Sequence, residues 1–455
     1  MQYSTNPWTG ETLANYPQHD SVHITNALNQ ARLAFRHWPV HVPIFARIEP
    51  IIALAKLLRT QRESLALLIT QEMGKLYREA LAEIDKCAFL CDVYAAQGVA
   101  WLEPEHIPTE AKKSFVQPVP LGIILLIMPW NFPFWQVIRA AVPAILAGNA
   151  VLLKHASNVP RCALAIEKLF LEAGFAEGLF QTLLIPSSRI ESLIRHPLVR
   201  GISLTGSEKA GRAVAGIAGQ ELKKVVLELG GSDPFIVLED ANLPKALDTA
   251  IKSRFTNSGQ SCIAAKRLII DRYHYDDFVD ALYTRISRLK VGDPMDEHTD
   301  IAPMARPDLR DELHTQVMST LSAQGARLLC GGSPVENTLS AYYPTLLADI
   351  QPGMVAFDEE TFGPVITVSK SSDIPHALSL ANASRFGLGS TVFTADGTTA
   401  QTLAESLHSG CTFVNDLMHS DPRLPFGGVG DSGLGREMGR LGLLEFTNLK
   451  TICYA

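Results

Sequence analysis

This chain has no apolar run long enough to cross a bilayer: stretches such as Leu121 to Met128 fall far short of the roughly 20 residues a membrane helix needs. It also has no block of lysine or arginine, and its formal charge of −7 argues against a partner bound through nucleic-acid phosphates. The first residues, Met1 to Pro7, lack a basic-then-apolar leader, so the expected location is cytoplasmic. Cysteine is sparse and odd in number: the seven are Cys87, Cys91, Cys162, Cys262, Cys330, Cys411 and Cys453. That count points to free thiols in a reducing compartment rather than to a disulfide framework. Cys87 and Cys91 are four apart on one helix face, but no histidine pair follows at finger-like spacing, so no metal is expected. Internal repeats and low-complexity linkers are missing too, which predicts closely packed domains with a site between two of them.

What is present describes a globular protein. With 47% hydrophobic and 19% charged residues, 455 residues suffice for two or three domains with substantial cores. From about Ser21 to Gly98 apolar residues recur at helical intervals, as in Ile51, Leu54, Leu57 and Leu58. Short apolar runs then alternate with helical segments: Ile123–Met128, Ala150–Leu153, Leu179–Ile185, Gly201–Leu204 and Val225–Leu227 are separated by four helical stretches, among them Trp135–Leu146. This alternation predicts βαβ units and a doubly wound parallel sheet, that is, the α/β class. A second α/β region begins near Phe235 and runs to about residue 420, and Leu449–Tyr454 reads as a closing strand.

Chemistry concentrates in a few short segments. Cys262 ends the polar turn Thr256-Asn257-Ser258-Gly259-Gln260-Ser261, and Glu228 lies 34 residues earlier before a Gly-Gly pair. A free thiol has a pKa near 8.5, so a nucleophilic cysteine needs a base or a polar cradle; Glu228 is a candidate base, and the pair suggests covalent catalysis on a carbonyl carbon. The bland alternatives are a small buried hydrophobe and a solvated turn residue. Thr205-Gly206-Ser207 follows an apolar run and opens a helix, which suits a diphosphate or is a plain strand–turn–helix junction. Asn131, held in Pro129-Trp130-Asn131-Phe132-Pro133 after a strand, is either an oxyanion donor or a capping asparagine.

In their order, these motifs resemble the aldehyde dehydrogenase superfamily over nearly the whole chain. The match rests on Pro129–Pro133, Leu204–Ser207, Leu227–Gly231 and Gly259–Cys262, then Glu359–Pro364, Pro425–Gly428 and Ser432–Glu437. The resemblance implies an aldehyde dehydrogenase-like α/β fold. It comprises a Rossmann-like cofactor domain (1–106 and 128–234), an α/β catalytic domain (235–425) and a small oligomerisation element (107–127 and 440–455). It further implies Cys262 as nucleophile, the Asn131 side chain and the Cys262 N–H as oxyanion donors, and Glu228 as the base for thioester hydrolysis. Cofactor contacts would come from Trp130, Lys154, Ser157, Gly206, Ser207, Gly211, Leu229, Glu360 and Phe362. The family commonly has Lys-Pro-x-Glu after the second cofactor strand; here it is Lys154-His155-Ala156-Ser157, so the repelling carboxylate is missing and either NADP or NAD is expected. His155 is expected to be an ordinary exposed histidine.

Arg139, eight residues beyond Asn131, resembles the substrate-carboxylate ligand of succinate-semialdehyde dehydrogenases, with Ser420 and Phe426 beside it. Thr256 stands where those enzymes usually have a second arginine, for which Arg254 or Arg423 would have to compensate. The expectation is therefore NAD(P)-dependent oxidation of succinate semialdehyde by a homodimer or homotetramer. The alternatives are a broader dehydrogenase of short aldehydes such as glutarate semialdehyde, or a non-catalytic cofactor-binding relative. CoA-acylating relatives often lack the glutamate base, so Glu228 favours hydrolysis.

Overall fold

The computed structural model describes residues 1–455. A six-stranded sheet orders Gly433–Leu434, Lys224–Glu228, Val199–Thr205, Ile123–Met128, Ala150–His155 and Phe180–Thr182, all parallel except the first pair. Its central strand, Ile-Ile-Leu-Leu-Ile-Met, does not alternate because helices cover both faces of a parallel sheet. Three loops leave the carboxyl edge of this sheet side by side: 129–134 after Met128, 206–207 after Thr205, and 229–231 after Glu228. Ligands of open α/β sheets bind at such an edge.

A seven-stranded sheet orders Arg327–Cys330, Thr345–Ala348, Val365–Ser371, Ala265–Asp271, Asp233–Val237, Gly389–Phe393 and Cys411–Val414, with only the first pair antiparallel. Alternate residues feed separate cores on its two faces. Phe235, Val237, Leu268 and Ile270 enter one; Ile236, Leu238, Ile269 and Val392 enter the other. No helix is long and apolar enough to cross a membrane.

The third sheet is small and antiparallel: Thr447–Tyr454 pairs with Lys113–Pro120, which also pairs with Glu105–His106. This differs from the expected 107–127 boundary in two ways. The strand pair starts at Glu105, and residues 123–127 belong to the centre of the six-stranded sheet. The unbroken apolar character of Ile123–Met128 is the reason, since it buries both faces and does not suit an exposed ribbon.

The helices of the first hundred residues act as a buttress. Arg62–Met73 and Tyr77–Trp101 supply three carboxylates that bind backbone donors elsewhere in the chain. Glu83 Oε1 accepts from the Phe134 and Trp135 N–H groups (2.8 and 3.0 Å), capping helix Trp135–Leu146. Glu72 accepts from Arg161 and Cys162 N–H at 2.9 and 2.8 Å, capping the next helix, and Glu79 accepts from Asn257 N–H at 3.1 Å. Each satisfies donors that a helix start or tight turn leaves unpaired. Lys75 forms a fully buried ion pair with Glu83.

Candidate active site

Cys262 is reached through a strained turn. Asn257, Ser258 and Gly259 all have positive φ (54, 53 and 74°). Two consecutive non-glycine residues in this region cost energy and persist only where surrounding contacts impose them. Those contacts are present: Asn257 Nδ2 donates to Asn131 O (2.8 Å), Ser258 Oγ to Ala302 O (3.0 Å), and Gln260 Oε1 accepts from Ala305 N–H (2.9 Å). Gly259 has no substitute, because a Cβ there would lie 2.2 Å from Gly363 O. Beyond the turn, Lys266 Nζ donates to the carbonyls of Ser261 and Cys262 and pairs with Glu360 Oε1 at 3.0 Å.

The Asn131 loop is braced against this turn. Asn131 Nδ2 donates one proton to Gln260 O at 3.1 Å, which orients the amide and leaves its second proton available. The Cys262 N–H makes no hydrogen bond, so two donors are ready beside the thiol. His155 holds the loop from behind, contrary to the expectation of an exposed side chain. It is 4% exposed; its Nδ1 accepts from Ala156 N–H (2.9 Å), so its Nε2–H donates to Pro133 O (2.9 Å). Burial lowers its pKa to about 4, keeping the ring neutral. The difference is a fact of register: pairing Met128 with His155 in adjacent strands puts the ring under the loop, which residue type alone does not encode.

Two cavities meet at Cys262. The first, about 250 Å³, is walled by Trp130, Asn131, Gly206, Ser207, Leu229, Glu360 and Phe362, with the Trp130 and Phe362 rings edge to face at 5.8 Å. Small residues shape it. A Cβ on Gly230 would stand 2.2 Å from Glu360 Oε2, and one on Gly211 would stand 2.6 Å from Leu229. Ser207 Oγ caps helix Glu208–Gln220 through Ala210 N–H. Lys154 and Ser157 line a separate cavity with Tyr3, Gln18, Asn158 and Ser187, and no carboxylate borders it. Lys154 is 8% exposed, and burial lowers its pKa.

The second cavity, about 320 Å³, is bordered by Phe132, Trp135, Arg139, Ser420, Phe426 and Cys262, together with Lys86. Arg139 is more committed than its sequence position suggests. Its Nε is paired with Glu437 Oε2 at 2.5 Å, and Phe426 lies 5.2 Å from its guanidinium. Only one long bond, to Thr205 Oγ1 at 3.4 Å, engages its Nη groups. Arg254 and Arg423 do not compensate for Thr256. Arg254 is fully buried and donates to the carbonyls of Thr361, Val365 and Gly363, while Arg423 is exposed and paired with Asp421. Thr256 itself donates to Lys252 O at 2.7 Å. Because Arg139–Glu437 is buried (2% and 5% exposed), Arg139→Ala is expected to cost about 3–5 kcal/mol of stability, since an unpaired buried carboxylate remains. Denaturant midpoints of Arg139→Ala and Arg139→Ala/Glu437→Gln check this: the double variant should recover part of the loss.

Burial shifts thiol and carboxyl in the same direction. Burial pushes the Cys262 thiol up to about 12 despite the opposing charges of Arg139 and Lys266. Glu228 is 2% exposed, neither carboxyl oxygen has a hydrogen-bond partner, and burial together with Glu437 holds it well above the usual carboxylate range. It borders neither cavity; Gly427 lies against Oε1, where an added Cβ would be 2.8 Å away. The thiol is thus protonated at neutral pH, and the carboxyl holds its proton to a higher pH than an exposed glutamate does.

Comparison with known proteins agrees along the whole chain. The profile described as aldehyde dehydrogenase family matches residues 2–452. A probable succinate-semialdehyde dehydrogenase named for NADP(+), from Synechocystis sp., is 45% identical over 450 residues, 99% of each chain. The succinate semialdehyde dehydrogenase of Escherichia coli named for NAD(P)+ is 47% identical over 449 residues, 99% of this chain and 97% of that one. Among solved structures, succinic semialdehyde dehydrogenase from Streptococcus pyogenes in complex with NADP+ has a TM-score of 0.97 at 34% identity, covering 99% of each chain.

Proposed function

Because this chain belongs to the aldehyde dehydrogenase family, we propose that it oxidises succinate semialdehyde to succinate with NADP, and less efficiently with NAD. The observation that carries the reading is the meeting of two unlike cavities at one thiol. One has the glycine-shaped, aromatic wall of a nucleotide site, and the other holds cationic groups suited to a carboxylate. The cofactor fits the residues present. Lys154 has no carboxylate nearby to neutralise it, and Ser157 stands where a carboxylate would repel a 2′-phosphate. Trp130, Gly206, Ser207, Gly211, Leu229, Glu360 and Phe362 would hold the rest.

In this reading the Cys262 sulfur adds to the aldehyde carbon, giving a thiohemiacetal. The developing oxyanion is met by the free Asn131 Nδ2–H and the Cys262 N–H, worth about 3 kcal/mol per donor in comparable sites. When bound, the cofactor supplies the hydride acceptor that takes this adduct to a thioester. Glu228, once ionised, removes a proton from the water that hydrolyses the thioester, and Cys262 is released. Glu228 reaches that water only by turning out of its resting place beside Gly427. Arg139 and Ser420 hold the substrate carboxylate, and Phe426 flanks Arg139.

The domain division follows the sheets: cofactor binding by the six-stranded sheet, catalysis by the seven-stranded one, and self-association by the three-stranded one. Thr447–Tyr454 forms an edge of that last sheet with Leu449 and Tyr454 exposed, which suits pairing with a second copy in a homodimer or homotetramer. The deciding measurement is kcat/KM for succinate semialdehyde, glutarate semialdehyde and butanal with each cofactor. A preference of about 100-fold or more for the acidic aldehydes over butanal is expected from a desolvated charge-assisted contact. Equal values for butanal would remove the carboxylate reading.

A further inference from the structure

The second cavity carries a cation that its wall does not neutralise. Arg139 is paired with Glu437, Glu83 with Lys75, and Glu79 is used by the Asn257 N–H. Lys86, on helix Tyr77–Trp101, has no carboxylate within 4.0 Å. Its ammonium donates to Ser420 Oγ at 2.6 Å and stands 4.2 Å from the centre of the Trp135 ring. The charged and titratable groups around it are Glu83 and Cys87 on its own helix, Arg139 on the helix packed against it, and Asp421 beside Ser420. Asp421 is already bound to Arg423 at 2.5 Å, and Lys252, also at the cavity, adds further positive charge.

We propose that Lys86 is a specificity-determining residue which, together with Ser420, receives the carboxylate of an ω-oxo carboxylic acid in the cavity that Cys262 also lines. This rests on the function proposed above and names the group that completes its carboxylate site. An ammonium has three donors, and Ser420 takes one. Since Ser420 Oγ accepts from Lys86, its own proton is free for an incoming anion. A bound carboxylate would be shared by Lys86 and Arg139, turning two repelling cations into a clamp. Trp135 and Phe132 offer an apolar wall for the methylenes between the carboxylate and the aldehyde. Burial and the nearby Arg139 lower the Lys86 pKa to about 8, so the empty site loses this charge as pH rises through that value.

The test compares kcat/KM for succinate semialdehyde with that for butanal, in the full-length wild type, Lys86→Met and Lys86→Arg, across the pH range about 6.5 to 9.5. Taking the ratio cancels ionisations of Cys262 and Glu228, which act on both aldehydes. In Lys86→Met the ratio should fall about 10- to 100-fold, and Lys86→Arg should restore most of it. In the wild type the ratio should decline above about pH 8, whereas in Lys86→Arg it should stay flat because guanidinium does not titrate there. A wild-type preference that Lys86→Met retains, or equal losses for both aldehydes, overturns the role of Lys86 while leaving the proposed function standing. A wild type without preference overturns both. Should Lys86→Met fail to fold, the pH course of the ratio in wild type and Lys86→Arg decides: matching courses overturn the proposal.

Discussion

Cys262→Ala is expected to lower kcat/KM by about 10⁴-fold or more for every aldehyde, acidic or neutral, because no other group can form the covalent adduct. The other cysteines are no substitute. Cys87, Cys91 and Cys162 are buried in the helical core, Cys330 and Cys411 border neither cavity at Cys262, and Cys453 is exposed on the terminal strand. Cofactor binding should survive, since Cys262 is only one end of a wall built by Trp130, Gly206, Ser207 and Phe362. Titrating the variant with NADP and following tryptophan fluorescence separates the two effects. Residual turnover near the wild-type rate would rule Cys262 out as nucleophile, and loss of cofactor binding would show that the wall had collapsed.

The second large effect is expected from Glu228→Gln. If Glu228 activates the hydrolytic water, the variant should release about one equivalent of reduced cofactor per site in a burst and then turn over about 10²–10⁴-fold more slowly. Trapping the thioester by acid quench and mass spectrometry checks the intermediate directly. Loss of the burst itself would move Glu228 to activation of the thiol, and unchanged turnover would remove it from the mechanism. The pH dependence has a defined sign. Burial and Glu437 raise the Glu228 pKa, so at a given acidic pH more of it is protonated than an ordinary glutamate would be. A general base works only when ionised, so wild-type kcat should rise with pH beyond the range where exposed carboxylates have finished titrating. In Glu228→Gln that rise should be absent. Asn131→Ala is expected to lower kcat by less than either variant, because the Cys262 N–H remains as a second donor.

Much of the fold was legible because its signals are local. Ile123–Met128, Trp135–Leu146 and 243–255 have the same bounds in sequence pattern and structure, each framed by glycine, proline or a polar turn. The family resemblance was legible for the same reason: its motifs are short runs whose residue types are set by close approach to the backbone, as Gly230 and Gly259 illustrate. Misreadings arose where neighbours in space come from distant parts of the chain. His155 looked superfluous until strand pairing placed it beneath the Asn131 loop. Arg139, expected to face a substrate carboxylate, is paired with Glu437 nearly three hundred residues away, a contact with no local signal. Lys86 gave no signal at all, since a lysine in a helical run such as Glu83-Ile84-Asp85-Lys86 reads as a solvated face.

The sequence by itself determined the α/β class, the family, and the thiol, amide and carboxylate that make aldehyde oxidation chemically feasible. Those follow from residue type and short-range order, which covalent geometry and hydrophobic periodicity enforce. Only the tertiary structure decided how burial shifts those groups and with whom they pair: that the Cys262 thiol and the Glu228 carboxyl are both pushed up, that Arg139 is shared with Glu437, and that Lys86 and Ser420 stand together in the second cavity at Cys262. Burial and pairing arise from contacts between segments that the chain keeps far apart, and electrostatic energies depend on distances and desolvation that no linear pattern encodes.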